Sequence, residues 1–239
     1  MLQFIHQNTR PSHSHTSTGG WKGVNMFLAR SGLKRLMRNA YKGGGLRVRR
    51  DHAGLHISGA YWTVYFIWGE WPKETMGDLI SLVGVLPDVG EQYLATKNGN
   101  QMEIWDDSIQ NAMEIAAEGK QYLELSPVIL DEGTRYYRMM RDPKTKEIIC
   151  INEAYYSYVN PELVDADDDE MLPEGPIIGY GSLLGKVVHV ISWHNNRMAF
   201  AVISERPQNE RIIKICNDFE IALTKKDFEN AENEERQEA

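Results

Sequence analysis

Apolar positions in this chain change their spacing along its length, and those changes mark out its elements. Leu33, Leu36, Met37 and Ala40 recur at helical spacing, so the stretch SGLKRLMRNAYK reads as an amphipathic helix. Ser31 is placed to cap its start, and Gly43-Gly44-Gly45 to stop it. Met26 to Ala29 reads as a short strand leading in. After the glycines, Leu46 to Arg50 and Leu55 to Trp68 read as strands joined by a tight Asp51-His52-Ala53-Gly54 turn. The second run, LHISGAYWTVYFIW, is aromatic throughout, and Gly59 marks a bend or bulge in it. Pro72 opens a second helix, with Met76, Leu79, Ile80 and Val83 on one face and Pro87 at its end. Tyr93 to Lys97 and Gln101 to Trp105 flank Asn98-Gly99, a strong hairpin signal.

The pattern then becomes β-rich. Ile109 to Ala117 reads as a short helix or a loop, and LELSPVIL, TRYYRMMR and EIICIN read as strands separated by tight turns. EAYYSYVNPELV is a helical turn or a strand end. GYGSLLG reads as a turn, because it has neither the GxGxxG spacing nor the Lys-Ser/Thr ending of a phosphate loop. Lys186 to Ser192 and Met198 to Ser204 form a hairpin around His194-Asn195-Asn196-Arg197, and Ile212 to Cys216 is a candidate last strand. Residues 1–25 are polar and without periodicity and read as a flexible tail, with Met26 a second candidate start. Residues 217–239 read as a charged C-terminal tail.

Charge changes this picture most. The net charge is −8, yet ten of the 26 Lys and Arg residues fall in the first fifty positions, which hold no Asp or Glu. All 34 acidic residues lie in the remaining 189. Within the basic segment Lys34, Arg38 and Lys42 follow at steps of four and form a cationic ridge separate from the apolar stripe. Arg35 stands beside them, and Arg47, Arg49 and Arg50 carry the positive surface onto the next strand. The overall charge opposes general adhesion to polyanions but not binding through one segregated face. These seven cations are the candidate contacts to nucleic-acid phosphates, with a merely solvated helix face as the competing reading.

Catalytic and metal signatures are missing from the sequence. There is no GxSxG, HExxH or CxxC, and His52 and His56 lie on a turn and strand where a four-residue step does not bring them together. Asp106-Asp107 and Asp167-Asp168-Asp169 would be the carboxylates of a metal-dependent nuclease, a third reading. The acidic loop DADDDEMLPEGP lacks the glycine and distal glutamate of an EF-hand. No cofactor or metal is expected, and a non-enzymatic protein is. Cys150 and Cys216, 66 residues apart, read as buried thiols of a reducing, cytosolic compartment, with a disulfide as the less favoured alternative. No run of 18 apolar residues is present, so no membrane span is expected. Trp62, Tyr65, Trp68 and Trp71 are the candidate surface for a protein partner, each with the core as its alternative.

The order β-α-β-β-α-β-β over residues 26–105 resembles one domain of a DNA sliding clamp. The matching pieces are MFLAR, SGLKRLMRNAYKGG, GLRVRR with LHISGAYWTVYFIW, PKETMGDLISLVGVLP and EQYLATKNGNQMEIW. The resemblance implies an α+β fold of two β-rich clamp-like domains, each a curved antiparallel sheet packed with one or two helices. Residues 26–118 would form the first domain and 119–216 the second, with helices near 153–159 and 176–185. It further implies a sequence-independent, non-enzymatic DNA-associated protein whose basic helix faces the duplex, and a ring built from more than one copy. In style the chain also resembles small accessory proteins of phages and mobile elements. The second reading, from another class, is a protein-binding accessory factor or an inhibitor of a host system.

Overall fold

The computed structural model describes residues 26–104, 111–119, 121–164, 172–183, 186–205 and 210–220. The fold is mixed α+β. In the first part of the chain, helix α1 (Arg30–Lys42) is followed by β1 (Leu46–Arg50), β2 (Gly54–Ser58) and β3 (Trp62–Ile67). Helix α2 (Lys73–Val83) and the hairpin β4 (Gln92–Thr96) and β5 (Gly99–Met102) come next, then α3 (Ala112–Glu118) and β6 (Gln121–Tyr122). Strands β7 (Glu124–Asp131), β8 (Tyr136–Arg141) and β9 (Ile148–Asn152) lead to a short α4 (Glu153–Tyr156). Strands β10 (Glu174–Leu183), β11 (Lys186–His194) and β12 (Met198–Ile203) precede a last helix, α5, at 210–220.

Nine strands make one antiparallel sheet in the order β5-β4-β1-β2-β3-β12-β11-β10-β6, and β7-β8-β9 make a small second sheet. The large sheet crosses the expected division at residue 118: β3 pairs with β12, with Val64 opposite Phe200. One row of side chains runs in register through six strands as Tyr93, Val48, Ile57, Val64, Phe200 and Trp193. All six are buried, and α1, α2 and residues of the small sheet join them in the main core. Because side chains alternate across a strand, the adjacent row shows the other face: Gln92, Arg49, His56, Tyr65, Ala199 and His194. Helix α3 covers the β12 side of that face. A capping box fixes its start: the Asn111 side chain accepts from Glu114 N, and the Glu114 carboxylate accepts from Asn111 N. Ile115 approaches closely because Ala199, Ala201 and Gly179 leave room; a Cβ on Gly179 would stand 3.2 Å from Ile115.

Several local readings are corrected. Ser31 does not cap α1; the cap position lies two residues earlier, at Ala29, which offers no side-chain acceptor. Residues 26–29 contribute a single β-bridge, Leu28 to Val159, in place of a strand. The aromatic run 55–68 is two strands, because the chain reverses at Gly59, whose amide donates to Trp62 O (3.0 Å). The Trp62 indole lies over that glycine, only 2.5 Å from where a Cβ would stand. Helix α2 stops at Gly84 (φ 83°), before Pro87. GYGSLLG and the helix that the clamp resemblance puts near 176–185 both fall largely in β10, a full strand against β11. The candidate strand 212–216 is helical, since Ile212, Ile215, Cys216 and Phe219 share the helix face that packs on the small sheet. Among the described residues no helix is long and apolar enough to cross a membrane. The N-terminal tail, residues 221–239 of the C-terminal tail and the carboxylates Asp106, Asp107, Asp167, Asp168 and Asp169 lie outside the described residues.

Phe200 sits at the seam between the two stretches, fully buried and stacked on Trp193 with ring centroids 6.0 Å apart. Phe200→Ala is therefore expected to destabilise both stretches together, by about 3–5 kcal/mol. Denaturant titration followed by tryptophan fluorescence and by far-ultraviolet circular dichroism should give coincident single transitions at a lower midpoint. Two separated transitions would show that 26–118 and 119–216 unfold independently.

Candidate nucleic-acid interface

Helix α1 lies across β1 and β4 and alongside α2. Leu33, Leu36 and Met37 anchor it in the core. Gly32 lets the Tyr158 ring pack against the helix backbone, where a Cβ would come within 2.3 Å of that ring. This docking fixes which way the cations point, and it divides the seven candidates into distinct environments.

Lys34 is committed to Asp78 of α2, a carboxylate only 7% exposed. Arg30, one turn earlier, shares that carboxylate at 2.8 Å and also reaches Glu74 at 2.6 Å. Burial works to raise the Asp78 pKa, but the hydrogen bonds donated by Arg30 and Lys34 outweigh it and hold Asp78 below the usual carboxylate range. Arg47 points to the opposite face of the sheet and forms a fork with Glu103, Nε at 2.6 Å and Nη2 at 3.0 Å. Its hydrogen bond to Glu103 raises the Arg47 pKa, and the same bond holds Glu103 low. Arg49 is buried on that face between Gln92 and His56 and has interactions of its own within the protein. Arg50 lies over the Trp68 ring (4.6 Å to the centroid) and near Trp71 (5.6 Å), and it donates to Pro87 O at 3.4 Å.

Arg35, Arg38 and Lys42 remain on the exposed side of α1. Their spacing of three and four residues puts them on one stripe, and no carboxylate among the described residues pairs with them. The continuous cationic surface expected from residues 34 to 50 is thus reduced to this stripe. The aromatic candidates divide as well. Trp62 and Tyr65 are 6% and 4% exposed and belong to the core. Trp68 is 50% exposed and meets Trp71 edge to face at 4.8 Å.

Sequence reasoning missed the buried polar patch behind α1. His56 hydrogen-bonds Thr63, and the Tyr65 hydroxyl donates to Asp51 at 3.1 Å. Burial, then the charge of Arg49, pushes the His56 pKa down to about 4, against a smaller opposing pull from Asp51. Burial also pushes the Tyr65 pKa up. The only advance signal was a histidine at an alternating strand position next to arginines. Among the described residues no group of three His, Cys, Asp or Glu side chains converges as a metal ion would require. A scan against protein-family models and searches of curated proteins and of solved structures return no match.

The neutral state of His56 has a stability signature. Its folded pKa lies near 4 against 6.5 in the unfolded chain, so the unfolded state binds the proton first as pH falls. Stability is full above pH 6.5 and declines toward pH 4, by about 3 kcal/mol at the limit. Urea midpoints of the native protein should fall through that window, and those of His56→Gln should fall less. Equal slopes would place the acid sensitivity elsewhere.

Proposed function

We propose that the chain is a non-enzymatic DNA-associated protein that holds the phosphate backbone through the outer stripe of α1, without reading bases. The observation that carries this reading is the exposed set Arg35, Arg38 and Lys42, which no acidic side chain among the described residues pairs with, while the other cations of this region are engaged internally. Three point charges on one rigid helix suit a polymer with regularly spaced phosphates. The placement of α1 beside α2 on one sheet face is in keeping with the sliding-clamp resemblance, and a reducing cytosolic compartment with the free cysteines. A processivity or accessory role for a phage or mobile element, and assembly into a ring, follow from that resemblance alone.

Duplex DNA of unrelated sequences should bind with similar affinity. Above about 100 mM salt, the slope of log K against log salt should be roughly −2.7, about 0.9 per phosphate contact for three contacts. The triple reversal Arg35→Glu, Arg38→Glu, Lys42→Glu should abolish retention while leaving the fold intact, because none of the three exposed side chains is tied to another element among the described residues. Retention unchanged by the reversal would end this reading. Ring assembly has its own measurement, light scattering during size exclusion. A discrete closed oligomer supports it, and a monomer at high concentration removes the ring without touching phosphate binding.

One observation favours a second reading, a protein-binding accessory factor or inhibitor of a host system: the half-exposed Trp68 with Arg50 stacked on it. Exposed tryptophan and arginine are the residue types most concentrated at binding hot spots. Trp68→Ala should cost about 1–2 kcal/mol, from the lost contacts to Trp71 and Arg50, and leave the chain folded. If this reading holds, the same change removes association with a partner that the α1 reversal leaves bound.

A further inference from the structure

Cys150 and Cys216 are far apart in sequence but meet in the fold. Cys150 is at the middle of β9, paired in register with Met139 and 5% exposed. Cys216 is on α5, half-buried, on the helix face whose Ile212 and Phe219 pack into the same cluster as Cys150, Tyr137 and Met139. The chain is also tied to β9 just before α5, because Glu205 N donates to Cys150 O at 2.9 Å. Both are free cysteines, and Cys216 packs against the apolar cluster that holds Cys150.

We propose that Cys150 and Cys216 form a reactive dithiol site at which a hydroperoxide oxidises the chain to an internal disulfide, fastening α5 to the small sheet. Cys216 is the attacking sulfur. It is the more exposed of the two, and the Cys150 S–H donates to it and stabilises its thiolate, so its pKa is lowered although burial and Glu220 oppose this. Cys150 is held as the thiol by that same hydrogen bond and by burial, and its pKa is raised. In the first step the Cys216 thiolate attacks a peroxide oxygen. The O–O bond breaks, Cys216 becomes a sulfenic acid, and the departing oxygen takes up a proton to leave as water or an alcohol. In the second step the Cys150 sulfur attacks the Cys216 sulfur, the S–S bond forms, and the sulfenic hydroxyl leaves as water with the Cys150 proton. Two thiols are oxidised and one peroxide is reduced.

Such a bond would close a loop from β9 through β10, β11 and β12 to α5, so its effect falls on how firmly α5 is held.

The test exposes the reduced full-length chain to hydrogen peroxide. The expected result is joint loss of both thiols, a mass lower by two hydrogens, and a Cys150–Cys216 linked peptide under non-reducing conditions. Amide exchange over 210–220 should slow on oxidation and recover with dithiothreitol. Cys150→Ser should trap a sulfenic acid at Cys216 that dimedone captures, and Cys216→Ser should leave Cys150 unmodified. Chains cross-linked to one another, sulfinic acid at Cys216 beside a free Cys150, or two untouched thiols would overturn the proposal. Oxidation of Cys150 in Cys216→Ser at the native rate would overturn it as well.

Discussion

The row of buried side chains from Tyr93 through Val48, Ile57, Val64 and Phe200 to Trp193 is the constraint on which the rest of the structure depends. Strand side chains alternate strictly between faces, so a slip of one residue in β1 or β2 would carry Arg49 or His56 into the apolar layer, and one in β11 would carry in His194. Desolvating such groups costs several times what a buried aliphatic side chain contributes. The register is thereby fixed across six strands, and it decides which face receives α1 and α2. It also joins two stretches of chain separated by well over a hundred residues. Long-range pairing of this kind is slow to find, because its loop-closure entropy is lost before the contacts form.

Once that register is set, the opposite face must solve a different problem. Its row carries Gln92, Arg49, His56 and Tyr65, all buried. Arg47 satisfies its charge on Glu103, Tyr65 donates to Asp51, and His56 stays neutral beside Arg49. A buried cation next to an imidazole favours the uncharged ring, so the histidine is the group that yields. The patch is therefore a consequence of sheet register as much as of its own residues.

Much of this was legible in the sequence where local chemistry decides. Asn98-Gly99 and the loop at 194–197 announced their hairpins, and the apolar spacing of Leu33, Leu36 and Met37 gave the buried face of α1 correctly. Where tertiary packing decides, local reading failed. Ile212 and Ile215 favour a strand by residue type, yet with Cys216 and Phe219 they form a helical stripe that only the small sheet outside could reward. The turn at Gly59 lacks an Asn-Gly or Asp-Gly signal and exists because the Trp62 ring closes over it. The cations were visible, but their environments were not. Asp78 lies 44 residues from Lys34 and Glu103 lies 56 from Arg47. The two cysteines were visible too, but not that the fold brings them into one cluster.

Electrostatics sets what the proposed hold on a polyanion at one helix would require of a chain of charge −8. At physiological ionic strength the Debye length is about 8 Å, so a phosphate on the α1 stripe responds to Arg35, Arg38 and Lys42 and to little beyond them. Asp78 and Glu74, the nearest acids on α2, are already matched by Arg30 and Lys34. Those three ion pairs do not strengthen the stripe; they prevent α2 from cancelling it. As salt falls toward about 10 mM the screening length grows to about 30 Å, and the acidic remainder of the chain comes into range of the same phosphate. Attraction at the stripe and repulsion from the rest then rise together. The gain in affinity at low salt should therefore flatten, whereas a uniformly basic binder would keep gaining. That curvature is the signature of a segregated cationic face on an acidic protein.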